Sequence, residues 1–417
     1  MNKRFIILFP FIMLIAISTL MSCVGEDRWA EYKPLTAANE WMDSVMRVNY
    51  YWAPGMPSSK KLNYFNTPTS FLSSVKSNLD KVSHIDSIYN STNSYGITAS
   101  LEVSADNDTV YNAVVTYVNT DSPAYRAGLK RGDWIMKVGG NAITRSNQST
   151  ILANGNATTL SLGTLQATTT DGTTTYSVVS NGTVLSMDAS TSVSDNPVHY
   201  YTTITSGSKK IGYLVYSSFN AGTSNAYLNS LRSAFASFNS NGVTDFVLDL
   251  RYNGSGDDIE CARLLASMLV PSGKLGSTFV TLKKADSSKD ETLTLSNDLI
   301  GSGANLNLST IYILTTSATA QLSEVLIAAL VPYLKVYTVG STTKGVLGVT
   351  TCYTNPAFNY KFYPVTSIPV NASNEIYETS GIVASKSASD TDLPTLLDFG
   401  NINESMLSAA IALITAQ

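Results

Sequence analysis

Two stretches carry side chains whose types and spacing could do chemistry. An apolar β-type run from Ile311 to Leu314 meets a Ser/Thr/Ala turn that holds Ser317. Ser323 and Glu324 follow, with Val325, Leu326, Ala329 and Leu330 at helical spacing. A second strand, Lys335 to Val339, ends at the breaker Gly340 and leads to Lys344. A strand turning tightly into a helix suits a nucleophile, because the first helical N–H groups are unpaired and can hold an anion. The same pattern also describes an ordinary βαβ unit. Upstream, Asp245 to Asp249 reads as a strand running through Leu250-Arg251-Tyr252-Asn253 into Gly254-Ser255-Gly256. Such a glycine-rich turn lets backbone N–H groups approach a substrate oxyanion. Asp257 and Asp258 then open the next helix, where acidic residues suit the dipole as caps.

Cys261 and Cys352 are the other candidate nucleophiles. A thiolate needs a base beside it, and neither His84 nor His199 is near either cysteine in sequence. In an oxidising compartment the two thiols could pair; as two buried free thiols they would only pack. With two histidines in the chain, a His-rich metal site is not expected, and no cofactor is implied. A formal net charge of −4 gives no electrostatic case for nucleic acid.

These stretches resemble the core of the S41, or carboxyl-terminal-processing, serine peptidases, which use a Ser/Lys dyad. In that family the serine stands three residues before the Glu of a Ser-Ala-Ser-Ala-Ser-Glu run. The lysine follows a Gly in a Gly-Glu-x-Thr-x-Gly-Lys run after the next strand. Aligned on Ser323-Glu324, the nucleophile position is Gln321. Aligned on Gly340-Ser341-Thr342-Thr343-Lys344-Gly345, the lysine position is Val346. The two anchors are independent, and their separation matches the family spacing without a gap. Both dyad side chains are absent by this alignment. Asp249-Leu250-Arg251-Tyr252-Asn253-Gly254 matches the family's Asp-Leu-Arg-x-Asn-Gly-Gly-Gly, with Ser255 in place of the middle glycine. The resemblance implies that the backbone at Gly254, Ser255 and Leu322 faces substrate; a side chain at Ser255 restricts that approach if the position needs positive φ.

The elements that must position these residues follow from the rest of the chain. Lys3 and Arg4 precede an apolar run from Phe5 to Leu20, then Leu20-Met21-Ser22-Cys23, which resembles a bacterial lipobox with Cys23 lipidated. Glu26 and Asp27 resemble a surface-export signal of some Bacteroidetes-type lipoproteins. A helix over Ala38 to Tyr51, with Trp41, Val45, Val48 and Trp52 on one face, and a second over Thr69 to Leu79 resemble the family's small N-terminal domain. His84 is expected as a solvated or capping residue. Ser122-Pro123-Ala124-Tyr125-Arg126-Ala127-Gly128-Leu129-Lys130-Arg131-Gly132-Asp133 looks like the PDZ signature, which implies that the loop at Tyr95, Gly96 and Ile97 captures a peptide carboxylate. Residues Leu152 to Ser190, full of Thr, Gly and Ser, read as a partly irregular β insertion.

The expected architecture is α/β multidomain: a signal peptide over 1–22, a helical segment over 23–88, a PDZ-like β-rich domain over 89–200, and an S41-type (crotonase-like, ClpP-like) core over 201–417. Two functional readings stand. One is an envelope lipoprotein, anchored to the membrane through Cys23, that binds extended or C-terminal peptide segments without cutting them. The other is an active serine endopeptidase with a displaced Ser323/Lys344 pair. Lys344 could face the side of Val346 in an extended segment. Ser323, on a helix, is rotated about 200° from Gln321.

Overall fold

The computed structural model describes residues 28–88, 93–105, 107–377, 379–390 and 396–416. The signal segment, Cys23 and the Glu26-Asp27 pair lie outside the described residues.

The chain enters on the helix Arg28–Asn49, which packs against the helix Pro68–Val75. Thr67 caps the second helix by accepting from the Ser70 N–H at 3.3 Å. Its end comes early, because Lys76 is extended. The buried stripe is Met42, Met46 and Tyr50, packed with Phe71, Leu72 and Val75. Val48 is 74% exposed, so the apolar face is rotated from the expected Trp41/Val45/Val48/Trp52 line. This unit has no core of its own. Val346, Phe362 and Val365 share its cluster, and the strand His84–Ser87 pairs antiparallel with Tyr360–Tyr363.

The second unit is a six-stranded sheet in the order Ile97–Ser104, Asn107–Val118, Asn141–Thr144, Trp134–Val138, Thr158–Thr170, Thr173–Met187. Ala113, Val115, Ile135, Ile143 and Leu160 pack under Ala124, on the short helix Pro123–Arg126, and under Leu129 just after it. The stretch expected to be a partly irregular β insertion contains a long hairpin, paired from Thr158↔Met187 to Thr170↔Thr173 with a register shift between Ser161 and Gly163. Its β-branched threonines suit a pleated ladder even in solvent.

The third unit is a six-stranded sheet. Its strands Lys209–Tyr216, Asp245–Asp249, Thr310–Thr315, Lys335–Gly340 and Lys386–Ser387 run parallel, and Val198–Ser206 is an antiparallel edge. That edge strand straddles the expected start of the core at residue 201. The helices Ala226–Ser240, Ile259–Leu269 and Leu322–Leu330 cover one face, and Ser405–Thr415 covers the other. Parallel strands buried on both faces read as continuous apolar runs, as Phe246-Val247-Leu248 and Ile311-Tyr312-Ile313-Leu314 do. Cys261 is buried and Cys352 is exposed; both are free, so neither a disulfide nor a pair of buried thiols forms.

Candidate functional site

The site lies beyond the carboxyl ends of three adjacent parallel strands, where open α/β sheets hold ligands. The turns leaving those strands are tied to one another. The Thr316 hydroxyl donates to the Arg251 carbonyl, and the Thr319 hydroxyl donates to the Leu250 carbonyl at 2.8 Å. The Ala320 N–H donates to the Asn253 carbonyl at 3.1 Å, and the Lys344 N–H to the Thr319 carbonyl at 2.9 Å.

Gln321 sits at the start of the helix Leu322–Leu330 with φ 53° and ψ −118°. A non-glycine residue held there is strained and persists only where its surroundings over-determine it. The constraint is Glu324, whose fully buried carboxylate accepts four hydrogen bonds. One oxygen takes the Thr343 hydroxyl and the Gly345 N–H. The other takes the Gln321 N–H at 3.1 Å and the Val346 N–H at 3.0 Å. The backbones of the two positions aligned with the Ser/Lys dyad thus share one carboxylate oxygen. Val346 is buried in the cluster that contains Ala320.

At the glycine-rich turn, a Cβ on Gly254 would meet the Ala318 carbonyl oxygen at 2.4 Å, so only glycine lets the two turns approach. Ser255 does not take positive φ; Gly256 does, at 90°, with its Cα against the Phe219 backbone. The condition for a restriction at Ser255 is not met, because the left-handed residue is the third of the run. The Gly254 N–H is spent on the Tyr252 carbonyl at 3.2 Å. Among the described residues no acceptor engages the N–H groups of Ser255 or Leu322; Ser255 lines the cleft described next, whereas Leu322 is buried.

A cleft of about 400 Å³ joins this turn and Gln321 to His84, Asp86 and Tyr363. His84 stacks on Tyr363 with centroids 4.5 Å apart, and its Nε2 is 3.6 Å from Asp86 Oδ2. His84 is therefore a cleft residue as well as a partly solvated one. The alternation His84-Ile85-Asp86 puts His and Asp on one face of a strand, but only the pairing with Tyr360–Tyr363 directs that face to the site.

Ser323 and Lys344 are not brought together. Ser323 is fully buried and its hydroxyl donates to the Asn253 carbonyl at 2.9 Å, whereas Lys344 is exposed. The helical rotation aims Ser323 into the glycine-rich turn, away from the cleft. Ser317 is exposed on the preceding turn. Burial, with Asp258 adding to it, pushes the Cys261 thiol up to about 12, which keeps it protonated at neutral pH.

The loop at Tyr95 to Ile97, expected to capture a peptide carboxylate, has its first N–H groups engaged within the protein. The Tyr95 N–H donates to the Ala153 carbonyl at 3.0 Å and the Gly96 N–H to the Ser94 hydroxyl at 2.9 Å, so neither is offered to a carboxylate. Ile97 opens the edge strand Ile97–Ser104, whose outer side can add a peptide strand.

Several supporting residues went unnoticed in the sequence. Arg251 is fully buried and donates to Asp249, Asp390 and Glu404 at 2.7–3.1 Å. Burial alone would lower its pKa, but the carboxylates of Asp249 and Glu404 hold it well above the usual value. Arg131, from the PDZ-like unit, donates to Asp390 at 2.7 Å and to Tyr252, tying that unit to the turn beside the site.

The profile of peptidase family S41 matches residues 210–367, that of the S41 N-terminal domain 37–84, and that of a PDZ domain 114–160. A crystallised chain from Bacteroides fragilis, assigned to the S41 proteases, is 39% identical with a TM-score of 0.85; the match covers 90% of this chain and 97% of that one. This chain belongs to peptidase family S41. The photosystem II D1 C-terminal processing protease is 17% identical with a TM-score of 0.49, over 90% of this chain and 98% of that one. Mature CPAF complexed with lactacystin is 12% identical with a TM-score of 0.44, over 92% and 97%. No curated protein matches the sequence. In this S41 chain the strand-to-helix elbow and the glycine-rich turn are formed, with Gln321 and Val346 at the aligned dyad positions.

Proposed function

We propose that this S41 chain is an envelope lipoprotein that binds extended or C-terminal peptide segments and does not hydrolyse them. The observation that carries the reading is Gln321 standing on a formed, strained elbow within reach of the same carboxylate as Val346. A carboxamide nitrogen is delocalised and does not attack a carbonyl, and valine has no lone pair to take a proton. What the cleft keeps is suited to holding a peptide: the carboxamide of Gln321 can donate and accept, and the N–H group of Ser255 can donate. A peptide strand added at the edge Ile97–Ser104 would supply the second contact. The displaced Ser323/Lys344 pair gains no support, since Ser323 is buried on Asn253.

The test uses the chain lacking residues through Cys23, titrated calorimetrically with peptides bearing free C-termini and assayed on a denatured protein. Binding without turnover is expected, with cleavage appearing in Gln321→Ser/Val346→Lys. Wild-type turnover abolished by Ser323→Ala and by Lys344→Ala would overturn the reading. Lipid attachment is tested separately, by labelling cells with palmitate and comparing the full chain with Cys23→Ala.

A further inference from the structure

The N-terminal unit carries an apolar surface that no element among the described residues covers. Tyr32, on the first helix, is 41% exposed, and Phe65, on the loop before the second, is 61% exposed. Their rings meet edge to face with centroids 5.9 Å apart, and with Leu62 and Tyr64 they line an open hollow of about 570 Å³. The patch is held rigidly from beneath. Tyr64 stacks on buried Phe71 at 5.3 Å, and its hydroxyl donates to Asp43 at 2.9 Å. Exposed Lys33, Lys60 and Lys61 flank the aromatic pair in sequence. The one carboxylate in the hollow, Glu40, accepts from the Thr36 hydroxyl at 2.7 Å.

We propose that this patch docks on an anionic phospholipid surface and sets how the protein stands on its membrane. Exposed aromatic rings with adjacent lysines suit the interface between acyl chains and acidic headgroups. The position in the chain selects that occupant: at most about 30 Å of extended backbone separates Tyr32 from Cys23, so a lipid on Cys23 keeps the patch beside the bilayer. An acyl anchor fixes the distance to the membrane, and the patch adds the orientation that a single acyl chain lacks. The proposal rests on the lipoprotein reading above. Its test uses protein without Cys23, so failure of palmitate labelling and failure of docking are read separately.

The chain lacking residues through Cys23 is sedimented with vesicles of phosphatidylethanolamine and phosphatidylglycerol. Co-sedimentation is expected, falling at least tenfold in Tyr32→Ser/Phe65→Ser. It is also expected to weaken, with loss of salt dependence, in Lys60→Glu/Lys61→Glu. These side chains are exposed, so the variants should keep the wild-type circular dichroism spectrum. Absence of vesicle binding in the wild type, or equal binding in the aromatic variant, overturns the proposal. A concentration-dependent dimer that Phe65→Ser dissolves, without vesicle binding, would assign the patch to a second copy and overturn it as well.

Discussion

Glu324 is the residue on which the site depends. Its carboxylate holds a strained elbow through a part-buried contact on one side and the Thr343–Val346 segment through buried contacts on the other. Replacing it by Gln keeps the shape but puts an NH2 group against N–H donors. Glu324→Gln is expected to cost about 2–4 kcal/mol, because buried donors lose an ionised acceptor; urea unfolding of the core measures it. Gln321 holds φ 53° with no hydroxyl chemistry to justify the strain. Gln321→Gly should therefore stabilise the protein by about 1 kcal/mol in the same assay, since glycine adopts positive φ without a Cβ penalty. A decrease in stability would mean that the carboxamide makes compensating contacts.

At the scale of elements, the PDZ-like unit is joined to the core through a small buried set of groups. Arg131 reaches Asp390, Tyr252 and the Leu397 and Thr116 carbonyls. Arg131→Met strands the Asp390 carboxylate beside a single remaining arginine, and breaking a buried pair this way costs about 3–5 kcal/mol. Limited proteolysis should then release the PDZ-like unit faster, with the core fragment persisting. Beside this joint, His199 packs between Tyr117 of the PDZ-like sheet and Phe399 of the core, with centroids 4.3 and 5.4 Å away. Its Nδ1 is buried without a partner among the described residues. Burial lowers its pKa, and Asp195 and Asp398 oppose that only in part. Above the unfolded value of 6.5 the ring is neutral in both states and pH does not matter. As pH falls below that value the unfolded chain takes the proton more readily, so stability declines. His199→Phe should keep the stacking and flatten the fall in melting temperature between about pH 7 and 5.

Across the whole molecule, the helical N-terminal unit and the core form one cooperative body, because a single cluster contains Met42, Phe71, Val346 and Phe362. Phe71→Ala should remove about 3–5 kcal/mol and lower the core transition in calorimetry, leaving a transition of the PDZ-like sheet in place. If only a small N-terminal transition moved, the shared cluster would not be carrying load between the units.

The sequence alone determined what is local or continuous. Apolar runs such as Ile311 to Leu314 named the buried parallel strands, Ser122 and Gly128 marked the short helix of the PDZ-like unit, and two fixed motifs located Gln321 and Val346. The Thr-rich stretch was legible as β structure, but the expected apolar stripe of the first helix was one residue out of phase. Only the tertiary structure decided which groups meet. It put His84 and Asp86 into the cleft through a strand pairing made far along the chain, aimed Ser323 at Asn253, and set the left-handed residue of the glycine-rich turn at Gly256. It also gathered Arg131, Arg251, Asp390 and Glu404 into one network. The physical reason is that side-chain direction and long-range pairing depend on contacts between distant segments, whereas periodicity and turn chemistry are written into neighbouring residues.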